Sequence, residues 1–414
     1  MTPTGPDAPR TAVLIFLAFA FGYFLSALLR AVTATLAPAF SAELGLGAGD
    51  LGLLAGAYFF GFAALQLPLG SALDRHGPKR VLIAFMAVAV LACAAFALAR
   101  SFGALLLARM AIGVGVAACL MAPLTCFRHR FAPATQLRAN SWMLMTGSLG
   151  MVASTVPVQA LLPLVGWRGL FWLLAALLAL AIAGIAWLVP RDAPRPSAPR
   201  ARGGYGAIFG HPMFVRLLPI GFFHYGGLVA VQSLWAGPWL TEVAGRSPEA
   251  AARGLFAINL SMLVAFLSWG LLMPLLVRRG WDALRLITVG VPFSLAVLAL
   301  AIGFGARSGA AAWALWCVSC TFVSLSQPAV GQAFDSERAG RALSAYNLVI
   351  FAGVFCVQWG IGLLVDALQA LGWARVVAFQ AAFAVFALAC TASYMWFLGH
   401  PSAVARGRAP ARRV

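Results

Sequence analysis

A chain of 414 residues that is 62% hydrophobic and only 10% charged, with a mean hydropathy of +0.92, carries more apolar surface than a water-soluble domain can cover. It reads as an integral membrane protein. The net charge of +18 points in a soluble chain to nucleic acid or acidic partners, but the placement of the charges along this chain excludes that.

A bilayer core about 30 Å thick takes roughly 20 apolar residues per helix. Runs of that length predict twelve spans, at 11–38, 50–72, 78–99, 103–126, 139–163, 168–189, 213–240, 253–277, 284–306, 309–332, 340–365 and 374–398. Arg10 followed by "TAVLIFLAFAFGYFLSALL" has the outline of a signal peptide. The run continues past Arg30 without a small-residue cleavage site, so it reads more simply as the first helix. In that helix Tyr23, Ser26, Arg30 and Thr33 are spaced +3, +4 and +3, which draws one polar stripe. An Arg at mid-span costs about 2.5 to 3.5 kcal/mol on insertion scales and faces the bundle interior or water.

Between the second and third helices lies "GSALDRHGPKR", residues 70–80. Gly70 and Gly77 allow a tight turn and Pro78 suits the first turn of a helix. With both termini on the same side as this loop, 21 of the 29 Lys and Arg residues fall there, six fall on the other side, and Arg30 and Arg109 are left inside spans. The positive-inside rule makes that side, and both termini, cytoplasmic. Asp74 is what topology leaves unexplained; one reading is that it only caps or solvates the loop. Arg109, in "LARMAIGVG", lies six residues after Gly103, and Arg30 eight before Pro38, so both sit about 9 to 12 Å inside and share a depth.

"PRDAPRPSAPRARGGYG", residues 190–206, reads as a flexible linker. The predicted organisation is an N-terminal six-helix bundle 1–189, a cytoplasmic linker 190–212, a second bundle 213–398 and a basic tail 399–414 resting on anionic lipid. "LVGWRGLF" at 164 and "ALGWARVV" at 370 echo each other, as do "RHGPKR" at 75 and "RRGWDALR" at 278. Two matches at nearly one offset read as an internal duplication, with Val277 where the first copy has Asp74.

In the seventh helix His224 lies mid-span, and Gln232 and Trp235, eight and eleven residues on, fall on its face. An imidazole titrating near pH 6.5 is the candidate group for proton coupling; the alternative is a neutral His hydrogen-bonded within the bundle. The tenth helix carries Trp313, Cys317, Cys320, Ser324 and Gln327 at helical spacing, and Asn347 and Gln358 in the eleventh could extend that polar wall. Such stripes are equally a packing device. All seven cysteines fall within or at the ends of helices, so no disulfide framework, metal site or cofactor is expected. All eleven acids lie in loops or at helix ends. Transporters of cations place a carboxylate mid-span, so metal ions and organic cations are unexpected cargoes. No nucleophile and base or paired carboxylates occur within the spans, which argues against an enzyme.

Two six-helix blocks, a basic linker and "GSALDRHGPKR" resemble the major facilitator superfamily, whose signature reads roughly G-x-x-x-D-R-x-G-x-R-R. Gly70, Asp74, Arg75, Gly77, Lys79 and Arg80 match it, and "YFFGFAALQLPLG" and "LARMAIGVG" are also similar to family patterns. The resemblance implies an all-α fold of two pseudo-symmetric bundles that rock about a central site. It implies that Asp74 acts as a conformational latch toward the helix end near Gly340, with Arg128 nearby. It also places helices one, four and ten along the central cavity. Tyr23, Ser26, Arg30 and Arg109 in one half, and Gln232, Trp235, Trp313, Gln327 and Asn347 in the other, are then candidate contacts. Paired guanidiniums suit a small organic anion such as a carboxylate, although Arg109 also fits a family motif that serves structure or proton coupling, and backbone carbonyls could satisfy Arg30. The alternative cargo is a neutral, zwitterionic or amphipathic metabolite or drug. "GSLGMVASTVPVQA" departs from the family's antiporter motif, which disfavours a drug exporter, and a membrane sensor is the remote alternative. A single Lys amid many Ala, Arg and Gly fits a GC-rich bacterium, hence an inner-membrane transporter, working as a monomer on a small-molecule substrate with protons as the candidate coupling ion.

Overall fold

The computed structural model describes residues 8–190 and 205–400, and over them the chain is helical, with no strand. The first half contains α1 (Ala8–Leu44), α2 (Ala48–Ala64), α3 (Gln66–His76), α4 (Pro78–Leu98), α5 (Phe102–Arg128), α6 (Pro133–Ala153) and α7 (Val156–Leu188). The second contains α8 (Pro212–Val243), α9 (Pro248–Arg278), α10 (Ala283–Phe304), α11 (Ala310–Gln332), α12 (Ser336–Ala370) and α13 (Arg375–Gly399). Local chemistry sets where they start. Ser101, Ser247, Asp282 and Asp335 each accept a backbone N–H three residues on, and Pro occupies the first turn of α4, α6, α8 and α9, as orphan first-turn amides require.

Ten helices of the described residues are long and apolar enough to cross a membrane, or eleven when α2 and α3, bent by 43°, count as one span. The sequence predicts twelve. The difference lies in the fifth predicted segment, 139–163, which is divided between α6 and α7 at Ser154 and Thr155. Its second part then runs on through Gly166, whose φ of +65° turns the chain inside α7. The predicted linker 190–212 lies largely, and the tail 399–414 almost wholly, outside the described residues.

The internal duplication extends well beyond the two quoted echoes. Among the described residues, six of the seven glycines with positive φ form three pairs, Gly45 with Gly245, Gly77 with Gly280 and Gly166 with Gly372. Each half also carries one ion pair tying its first helix to its last: Glu43 of α1 with Arg168 of α7, and Glu242 of α8 with Arg375 of α13 at 3.1 Å. Trp167 Nε1 donates to Glu43 at 2.5 Å and Arg168 reaches the Ala99 carbonyl. Exposed pairs of this kind add at most about 1 kcal/mol; their value here is that they define one face of the molecule, the Gly45 face. The opposite, Gly77 face is held by Lys79, whose Nζ donates to the carbonyls of Ala186 (2.7 Å) and Val189 (2.5 Å) at the end of α7.

Contact between the halves concentrates on α2 against α12 and α1 against α8. Gly52 lies so close to α12 that a Cβ there would run into the Gln358 carbonyl, the small-residue packing by which membrane helices bring backbones together. At the Gly45 face the crevice between the halves is nearly shut. A cavity of ≈ 20 Å³ remains among Ser41, Leu51, Thr241, Glu242 and Arg375, room for about one water.

Candidate functional site

Helical periodicity puts Ser26, Arg30 and Thr33 of α1 on its inner side, facing α2 and α5. Arg109 of α5 is 1% exposed. Its Nη2 donates to Thr33 Oγ1 at 2.6 Å and its guanidinium lies 5.0 Å from the centre of the Tyr58 ring on α2. Its Nε and Nη1 are buried without a hydrogen-bond partner. Arg30 is half-buried, its guanidinium 5.8 Å from the centre of the Phe62 ring, and its Nε is likewise buried and unpartnered. The groups acting on Arg30 electrostatically are Tyr58, Tyr23 and Tyr225. Tyr58 therefore stands between the two guanidiniums, and its hydroxyl donates to the Ser26 carbonyl at 3.3 Å. Ser26 itself is buried with a bare Oγ.

Cation–π contacts give about 0.5 to 2 kcal/mol each, a partial return on holding a guanidinium in the membrane. Three bare guanidinium nitrogens on two neighbouring cations are unfinished electrostatics. A carboxylate or other oxyanion accepting from the half-buried Arg30 supplies a partner there, whereas the bare nitrogens of Arg109 are enclosed.

The second half is arranged differently from the prediction. His224 Nε2 donates to the Cys390 carbonyl of α13 at 2.8 Å. Gln232 donates to Asn259 of α9 at 2.9 Å, and Trp235 to the Gln358 carbonyl of α12 at 3.1 Å. Three residues predicted to share one face thus meet three different helices. The reason is local: α8 contains π-helical turns at Ile220–Tyr225 and Val231–Trp235, and each wider turn shifts the register that an ideal helix would keep. In α11 a 3₁₀ stretch, Thr321–Leu325, has tighter turns and shifts the register of the predicted stripe in the opposite sense. Trp313 is wholly buried against Trp239 (5.0 Å) and Phe383 (5.2 Å) in the core of its own half, while Gln327 donates to Asn347 of α12 at 2.6 Å.

What the second half brings to Arg30 is Tyr225, beside His224 and absent from the predicted set, as are Tyr58 and Phe62. A signal existed: tyrosine occurs only six times in the chain, and a phenol in the middle of an apolar helix invites the same question as an arginine.

In the predicted latch, Gly77 (φ +79°) closes α3 and Pro78 opens α4. Arg75, Arg80 and Arg128 are exposed, and open space surrounds Gly70. The Asp74 side chain, and with it the predicted contact near Gly340, lies outside the described residues.

Comparison with known proteins bears on these features. A family model described as Major Facilitator Superfamily matches residues 19–357. The chain is 27% identical over 221 residues to the multidrug resistance protein MdtM of Salmonella typhimurium strain LT2, covering 48% of this chain and 52% of that one. It is 28% identical over 268 residues to the 3-(3-hydroxy-phenyl)propionate transporter of Escherichia coli strain K12, covering 63% and 60%. The chain thus spans about half the length of these curated relatives. Among solved structures, a bacterial homolog of the human lysosomal transporter Spinster, inward-facing and occupied, is similar with a TM-score of 0.76 at 18% identity, over 96% of this chain and 97% of that one.

Proposed function

The chain belongs to the major facilitator superfamily, and we propose that within it this protein carries a small organic anion, a mono- or dicarboxylate, across the membrane by alternating access. It is a transporter with multiple membrane-spanning helices. The observation that carries the anion reading is the half-buried Arg30, with a buried and unpartnered Nε, set beside Arg109 about Tyr58. In this reading Arg30, half-buried and beside both halves, holds the carboxylate. Arg109, fully enclosed, does not touch it and acts through Tyr58 and Thr33. Tyr23 and Tyr225 flank the cargo, one from each half. His224, held by a backbone carbonyl, is a brace of the second bundle, and Gln327 and Asn347 are its polar wall. Twelve crossings, a cytoplasmic Gly77 face with both termini on it, a bacterial inner membrane and a monomeric working unit complete the proposal.

A second reading, an amphipathic drug-like cargo, draws on the aromatic wall of Tyr23, Tyr58, Phe62 and Tyr225 and on the name of the Salmonella relative. Thermal stabilisation of the purified protein separates the two. Carboxylates are expected to raise the melting temperature and to lose that effect in Arg30→Gln. Stabilisation by neutral or cationic amphiphiles alone, unchanged in Arg30→Gln, overturns the anion reading.

A further inference from the structure

Asp366 lies near the end of α12, in the second half, yet both its carboxylate oxygens bond to the first. Oδ1 accepts from the Ala48 N–H at 3.0 Å and Oδ2 from the Gly49 N–H at 2.7 Å. These amides belong to the first turn of α2, where N–H groups have no partner within the helix and the helix dipole presents positive charge. Asp50, on that same turn, accepts the Gly47 N–H at 3.2 Å. The orphan amides are therefore shared between one carboxylate of their own helix and one from the opposite half.

The local sequence makes room for this seat. A Cβ on Gly49 would stand 2.7 Å from Asp366 Oδ2, and one on Gly47 3.0 Å from it. One turn further on, Gly52 admits the α12 backbone at Gln358. Because α2 and α12 run antiparallel, the end of α12 meets the beginning of α2, next to the nearly closed crevice of the Gly45 face. For that face to open, the two helices must part there and both hydrogen bonds must break.

We propose that Asp366 is the latch of the Gly45 face: a carboxylate of one half seated on the first turn of α2 in the other, which favours the closed state and is released when the face opens. The proposal rests on the alternating-access reading but on none of the residues of the anion site. A carboxylate at a helix N-terminus shifts an equilibrium by about 2- to 30-fold, enough to bias two states without locking either.

The test is thiol accessibility in the purified full-length protein. A reporter, Thr241→Cys, is placed in the wall of the crevice, in a background carrying Cys356→Ser because Cys356 is the exposed native cysteine among the described residues. A second reporter, Ser101→Cys, sits exposed on the same face away from the crevice. Asp366→Asn is expected to raise the maleimide labelling rate at residue 241 by about 2- to 30-fold and to leave residue 101 unchanged. Gly49→Ala, which keeps the carboxylate but displaces it, is expected to act in the same direction and decides the matter should Asp366→Asn fail to fold. An unchanged rate at 241 in a folded variant, or an equal rise at both reporters, overturns the latch. The readout needs no substrate, so a crevice response without anion binding leaves the latch standing while the cargo assignment falls, and the reverse pattern does the opposite.

Discussion

Replacing Arg109 with Met keeps an unbranched apolar stem in place and removes the charge. On insertion scales the guanidinium costs about 2.5 to 3.5 kcal/mol at mid-membrane. Against that stand one charged hydrogen bond, to Thr33 at 2.6 Å, worth about 1.5 to 3 kcal/mol, and the Tyr58 ring at 5.0 Å, worth about 0.5 to 2 kcal/mol. The opposing contributions agree to within about 2 kcal/mol, so ligand-free Arg109→Met is expected to unfold within about 2 kcal/mol of the native protein. Anion binding is expected to weaken as well, because the charge that polarises Tyr58 beside Arg30 is gone. At an anion concentration 100 times its native Kd, binding stabilises the native protein by about 2.7 kcal/mol, and a tenfold loss of affinity reduces this to about 1.4 kcal/mol. Thermal unfolding in detergent with and without the anion reads both quantities. A ligand-free loss above about 4 kcal/mol with anion stabilisation intact would refute the reasoning and make Arg109 a structural brace, since buried-pair losses reach that size.

Tyr225→Phe keeps the ring and removes the hydroxyl beside Arg30; it is expected to weaken anion binding about tenfold, the size of one hydrogen bond, with unchanged ligand-free melting, and unaltered affinity removes Tyr225 from the site. Gly77→Ala places a side chain at φ +79°, ψ 151°, a region that costs non-glycine residues about 1 to 3 kcal/mol. Gly70, with open space around it and a helical backbone, tolerates Ala or gains slightly from it. Equal thermal shifts for the two substitutions would mean that Gly77 is retained for some reason other than its backbone.

Much of the scaffold is legible in the sequence because the determinants are local. Gly77 followed by Pro78 ends one helix and starts the next, and the Arg30 stripe follows from plain helical spacing in α1, a helix without π or 3₁₀ interruptions. Predictions fail where the backbone leaves the ideal helix. The π turns of α8 separate His224, Gln232 and Trp235 although their spacing unites them, and nothing in "IGFFHY" or "VQSLW" announces a wider turn. Asp366 is hidden for another reason: its partners lie more than 300 residues earlier, and a carboxylate at a helix end looks like any other solvated acid until the opposite half is in place.

The duplication shows what each half contributes. The glycine pairs and the two ion pairs recur in both copies at offsets of about 200, whereas the segments that correspond to Arg30 and Arg109, residues 229–237 and 308–316, contain no charged residue. The frame is symmetric and the charge is not. On the anion reading, a cargo enters with its carboxylate toward α1 and its remainder toward α8, where Tyr225 reaches it. Charge selection and size selection then fall to different halves. An anion too short to reach α8 would bind Arg30 without drawing the halves together, so that binding and transport would part company in a series of carboxylates graded by length. Transport that tracks binding through the whole series, down to the shortest anion, would show that Arg30 alone triggers the change of state.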